Sequence, residues 1–177
     1  MRAIAPLLFL AAPLAAECPQ APDHTAALDS LFAEIQAAST QFEGLNLGRQ
    51  LWQYWADAPD EVAQEILDRG MTRRNGMDYL GAISDFDRLV NYCPNYAEGY
   101  NQRAFALFLA GRFEAALPDL DRAVELSPRH TGAITGRAMT FLALGRTLEA
   151  QRDLRLALDL NPWLHERELL EQLGEQL

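Results

Sequence analysis

No lysine occurs anywhere in the 177 residues, so all 15 basic residues are arginine. The absence excludes chemistry that needs a lysine amine, such as a Schiff base, a Walker-type phosphate loop or a serine–lysine pair. Histidine is scarce too: His24, His130 and His165 are never three or four residues apart. No helix face can therefore pair two imidazoles on a metal, and all three are expected as solvated loop residues. HExxH, GxSxG and glycine-rich phosphate-loop patterns are missing. No order of Cys, His and Asp suggests a nucleophilic site. No catalytic residue, metal or cofactor is expected, and an enzyme is the least supported of three functional classes.

Long runs of one charge are also lacking. The 25 acidic and 15 basic residues are dispersed and leave a net charge of −10, which argues against nucleic acid as a partner. Only one long apolar run exists, Ala3 to Ala16 after Arg2, and Pro6 and Pro13 break it. Fourteen residues at helical rise reach about 21 Å, short of a ~30 Å hydrocarbon core. Residues 1–16 therefore read as a signal peptide cleaved after Ala16, and the mature chain as exported, periplasmic or secreted, with no integral membrane segment after cleavage. A lipidated cysteine would have to be Cys18, but Glu17 stands where that motif takes a small residue. Cysteine is limited to Cys18 and Cys93. In an exported chain these are expected to form a disulfide, the alternative being a buried thiol at Cys93 beside an incidental Cys18.

What the sequence does have is a period. Pro94, Pro128 and Pro162 are 34 residues apart, and the same interval separates Ala82, Ala116 and Ala150. It recurs in Gly70, Ala104 and Ala138, in Arg69, Arg103 and Arg137, and in Asp85, Asp119 and Asp153. Within each unit the apolar residues fall at three- and four-residue intervals, which predicts two amphipathic helices. Gly76, Gly111 and Gly145 lie mid-unit, where a tight turn needs positive φ, and each proline ends a second helix. The small residues mark where paired helices approach most closely.

These columns resemble the tetratricopeptide repeat, with Phe86, Leu120 and Leu154 in its large apolar column and Leu89, Ala123 and Ala157 in the next. The match runs from Ala63 to Leu164. The resemblance implies an all-α, right-handed helical-hairpin solenoid with repeats at 63–96, 97–130 and 131–164. Upstream, an N-terminal arm (17–28) leads to a degenerate helical hairpin (29–62). Gly48 there occupies the small column of Ala82, and Trp52 the large column of Phe86. Downstream, residues 165–177 form a C-terminal cap, the helical pattern running from Trp163 to Leu173 with Leu164, Leu169, Leu170 and Leu173 covering the end. Three departures stand out. Arg73 replaces the Leu107 and Phe141 of later units, Pro118 falls inside a second helix, and the opening aromatic is only Ile66, Tyr100 and Ile134.

The pairs Arg69/Asp85, Arg103/Asp119 and Arg137/Asp153 flank each turn symmetrically and are expected as structural ion pairs between antiparallel helices. For function, the resemblance implies partner binding on a concave face formed by the first helices. The candidate groove residues are Leu67, Met71, Asn101, Gln102, Phe105, Phe108, Thr135 and Met139, within a stripe that also holds Gln64, Arg74, Glu98, Gly132 and Leu142. Gln102, Gly132 and Gly136 stand where the family's carboxylate clamp needs other residues, so a greasy strip of Met71, Phe105 and Met139 is expected instead. The competing reading of Phe105, Phe108 and Leu142 is packing between repeats. Two functional classes remain ahead of an enzyme. One is an exported adaptor for a protein or peptide. The other is a structural subunit of a cell-envelope assembly, docking through its Trp52, Tyr54 and Trp55 helices or a solenoid end.

Overall fold

A computed structural model describes residues 17–175. The expected signal peptide and the last two residues lie outside the described residues. Among those described, nine helices occur and no strand: α1 (Thr25–Ala37), α2 (Gln41–Trp55), α3 (Glu61–Asn75), α4 (Tyr79–Tyr92), α5 (Ala97–Leu109), α6 (Phe113–Leu126), α7 (Thr131–Ala143), α8 (Thr147–Leu160) and α9 (Glu166–Glu175).

Local chemistry sets the helix ends. Asp60 and Asp78 cap α3 and α4 by accepting from the amides of Ala63 and Gly81 at 2.8 and 2.9 Å, filling donors that a first turn leaves open. The helices α4, α6 and α8 stop just before Pro94, Pro128 and Pro162. Gly111 and Gly145 turn between helices with φ of 72° and 71°. In the first repeat the equivalent position is Met77, with φ 64°, while Gly76 has φ −80°. The expectation that Gly76 supplies positive φ is thus one residue out: 34 before Gly111 is Met77. Pro118 leaves α6 unbroken, and both it and Glu114, whose carbonyl loses its amide donor, are exposed, so water satisfies the freed group.

The units pair as α3/α4, α5/α6 and α7/α8. Close approach occurs where the small columns lie: a Cβ on Gly70 would come within 2.5 Å of the Phe86 ring. Across units, α3 touches α5 and α5 touches α7. The first helices therefore converge on the inner, concave face. The last helix, α9, lays Leu169, Leu170 and Leu173 over Ala138, Leu142 and Leu154, which is the cap a solenoid end requires. It begins at Glu166, not at Trp163.

Trp163 goes elsewhere, and so does the N-terminal hairpin. Leu31, Phe32, Ile35 and Leu51 pack with Leu160 and Trp163, and Trp163 Nε1 donates to the Ile35 carbonyl at 3.0 Å. Gln36 donates to the carbonyls of Asp159 and Leu160 at 2.7 and 2.9 Å, and Arg129 pairs with Asp29 at 2.7 Å. The α1–α2 hairpin is therefore not a fourth unit stacked on the first. It crosses to the far end of the third repeat. Gly48 is small because Asn161 approaches it, and Gly44, one turn earlier, because its hypothetical Cβ would sit 2.1 Å from the Trp163 ring. Cys18 and Cys93 form a disulfide, Cα–Cα 5.1 Å, which straps the arm to the end of α4. His24 adds a 2.7 Å contact to Asp57.

Candidate binding groove

The inner face holds an open cavity of about 380 Å³. Three consecutive first helices build its walls. From α5 come Phe105 and Phe108, one turn apart, and from α7 come Thr135 and Met139; the end of α3 supplies Arg74. The fourth wall is Trp52 of α2, which the hairpin's crossing brings to this face. Phe105 is 45% exposed and Trp52 39% exposed, so large aromatic surface lines an opening that no other described element fills.

Beneath it lies a buried polar network. Glu98 is 1% and His130 0% exposed, with Nε2 and the carboxylate 2.6 Å apart. The Ala133 amide donates to His130 Nδ1 at 3.1 Å. That nitrogen must therefore be the acceptor, and Nε2 carries the proton it donates to Glu98. Asn101 and Gln102 also donate to Glu98, Asn101 at 3.0 Å, and Arg74 donates to Gln102. Trp55 stacks on the His130 ring, centroids 4.0 Å apart. Burial holds the Arg74 guanidinium below its ordinary pKa, with Glu98 opposing the shift. Burial, and then the Glu98 charge, push the Tyr96 phenol up, and its hydroxyl donates to the Trp55 carbonyl at 2.9 Å.

His130 is thus a buried structural residue, not the solvated loop histidine its position suggested. Its neighbourhood to Glu98 could have been suspected from a charged residue on the same stripe as Asn101. The pair is sealed under Trp55, with no room for a reacting group beside it. Among the described residues no cluster of three or more His, Cys, Asp and Glu is arranged to hold a metal.

The expected groove residues divide. Phe105, Phe108, Thr135 and Met139 line the cavity, and Asn101 and Gln102 form its polar floor. Leu67 does not: it is fully buried in the core of the first repeat, and Met71 packs against that same core. Leu142 lies under α9. The strip of Met71, Phe105 and Met139 is accordingly cut short at its first member, and Trp52 and Arg74 take that end. The aromatic patch expected from Trp52, Tyr54 and Trp55 does not form either. One ring faces the groove, one stacks on His130, and Tyr54 lies 5.1 Å from the His24 ring. Arg69, Arg103 and Arg137 meet Asp85, Asp119 and Asp153 at 2.9, 2.7 and 2.6 Å.

The first TPR domain of Spaghetti (RPAP3), solved with the HSP90 peptide SRMEEVD, is 25% identical with a TM-score of 0.63, covering 64% of this chain and 91% of that one. The tetratricopeptide-repeat family model matches residues 97–130. The chain carries a tetratricopeptide repeat at residues 97–130 and has the fold of tetratricopeptide-repeat domains. The second TPR domain of human RPAP3, in complex with the HSP70 peptide SGPTIEEVD, is also 25% identical, with a TM-score of 0.58 over 60% of this chain and 90% of that one. The Arabidopsis OM64 TPR domain shares the fold, at 23% identity and a TM-score of 0.63 over 66% and 98% of the two chains. No curated protein matches this tetratricopeptide-repeat chain by sequence.

Proposed function

We propose that this protein is an exported adaptor that holds a protein or peptide segment by an apolar side chain, seated between Trp52 on one side and Phe105, Phe108 and Met139 on the other. The observation that carries the reading is the open, aromatic-walled cavity on the concave face, where Phe105 stays 45% exposed with the Arg74 guanidinium 4.9 Å from its ring centroid. Two similar repeat domains were solved with peptides, which supports a peptide as the occupant. Asn101 and Gln102 offer few free donors, because Glu98 already uses them, so affinity comes from apolar burial. The apolar run at 3–16 and the disulfide support export to the periplasm, with secretion as the alternative; amino-terminal sequencing of the fractionated protein, beginning at Glu17, tests that part.

Panning a random peptide library on the mature chain tests the binding. The expected enrichment is for aromatic or long aliphatic residues. Phe105→Ala weakens the selected peptides roughly tenfold or more, since burying such a ring is worth ~1.5–3 kcal/mol, with circular dichroism unchanged. Selected peptides that bind equally well to Phe105→Ala and Met139→Ala chains would exclude the groove.

A further inference from the structure

The arginine column ends unsatisfied. Arg103 holds Asp119 of its own repeat through Nε at 2.7 Å and Asp87 of the preceding repeat through Nη1 at 2.8 Å. Arg137 does the same with Asp153 at 2.6 Å and Asp121 at 2.9 Å. These arginines therefore staple repeat to repeat as well as helix to helix. Arg69 occupies the same column and reaches Asp85 at 2.9 Å. The position that should supply its second acid, 34 before Asp87, is Gln53 on α2, and α2 does not stack on α3. Among the described residues no second carboxylate reaches Arg69.

Instead, Arg73 and Arg88 crowd the same acid, at 3.3 and 3.6 Å from Asp85. Three guanidiniums share one carboxylate on a chain of net charge −10. Glu65, one turn before Arg69, forms no ion pair with any of them. The surface is uncovered in each column. The Arg69 side chain is 40% exposed against 20% and 15% for Arg103 and Arg137. Arg73 is exposed where Leu107 and Phe141 are buried, and Val62 is 54% exposed where Tyr96 and His130 are buried.

We propose that this end of the solenoid docks a helix of another protein that presents a carboxylate where a preceding repeat would place the counterpart of Asp87 and Asp121. The occupant is not a second copy stacked head to tail. The column that reads Asp87 and Asp121 continues to Arg155, so the last repeat would bring an arginine to Arg69, and α9 already covers that end. The inference stands on the ion column alone and does not depend on the groove.

A lactam-stapled peptide of the α4 sequence, Tyr79–Tyr92, is a suitable probe, because α4 is the helix that offers Asp87 to Arg103 within the chain. Titrated into the isotope-labelled mature protein, it is expected to give saturable shifts at Arg69, Arg73 and Arg88. An Asp87→Asn peptide binds roughly fivefold more weakly, as loss of one exposed ion pair gives. The protein variant Arg69→Gln weakens binding similarly; Arg73 and Arg88 still neutralise Asp85 in it, so it folds. Equal affinity for the Asp87→Asn peptide, shifts confined to Phe105 and Met139, or no saturable shift at ~1 mM peptide overturns the proposal. Self-association through Arg69 in sedimentation does so too.

Discussion

From α3 to α8 each junction repeats the one before it, whereas the α1–α2 hairpin is held by contacts that occur once in the molecule. The repeats use small residues at the helix crossings, a proline at each exit, and an arginine joining two acids. The hairpin uses Trp163 against Gly44, Trp55 on His130, Gln36 on two free carbonyls and a disulfide at its root. The stack can lose one junction and keep its neighbours, because each term is local and small. The hairpin has no such redundancy, since each of its anchors occurs once.

The sharpest way to break that contrast is to cut the strap. Cys18→Ser reopens a loop of 75 residues and is expected to cost about 4 kcal/mol on the chain-entropy account. Urea unfolding under non-reducing conditions measures it, and a loss near zero would mean the single-occurrence contacts hold the hairpin without it. Next comes the point where the two regions share a buried group. Glu98→Ala leaves His130, Asn101 and Gln102 without their acceptor and should destabilise by ~3 kcal/mol. The near-ultraviolet circular dichroism of Trp55 should weaken along with it. An unchanged Trp55 signal would show that stacking, not the His130 position, docks α2. The smallest effect lies within the periodic part. Met77 is 75% exposed with φ 64°, so Met77→Gly removes left-handed strain without losing packing and should raise stability by ~0.5–1 kcal/mol. A thermal melt that moves downward would show that its side chain matters where it lies.

The same contrast explains what could be read from the sequence. Pro94, Pro128 and Pro162, the alanine columns and the Arg/Asp pairs are visible because one physical requirement is met three times at one interval. Gly76 misled because a nearby glycine imitated the period, while the turn position had drifted to methionine. Leu67 misled differently: a stripe gives direction around a helix but not depth, and the first repeat buries that position under the arm and the 56–58 segment. Gly48 and Trp52 fell in the columns of Ala82 and Phe86 by register, yet no period marked Trp52 as a groove wall or set Gly44 and Gly48 beneath Trp163 and Asn161. The two glycine contacts join chain segments more than a hundred residues apart, and nothing in α2 alone says which distant surface its glycines admit. His130 was hidden for the same reason, since it is buried by Trp55 from outside its own repeat.

The contact between Ile35 and Trp163 joins the two ends of what would otherwise be an open row of units. An open row can fray from either terminus, since each unit rests only on its neighbours. Here the third repeat cannot peel away without breaking the hairpin core, nor the hairpin without exposing Trp163, so the two ends share one unfolding event. Timing follows as well: during synthesis α1 and α2 emerge first, yet their apolar face has no lid until Trp163, 128 residues after Ile35, has left the ribosome. The earliest helices to be made are the last to be sealed, and contacts of such long sequence separation slow the final step of folding.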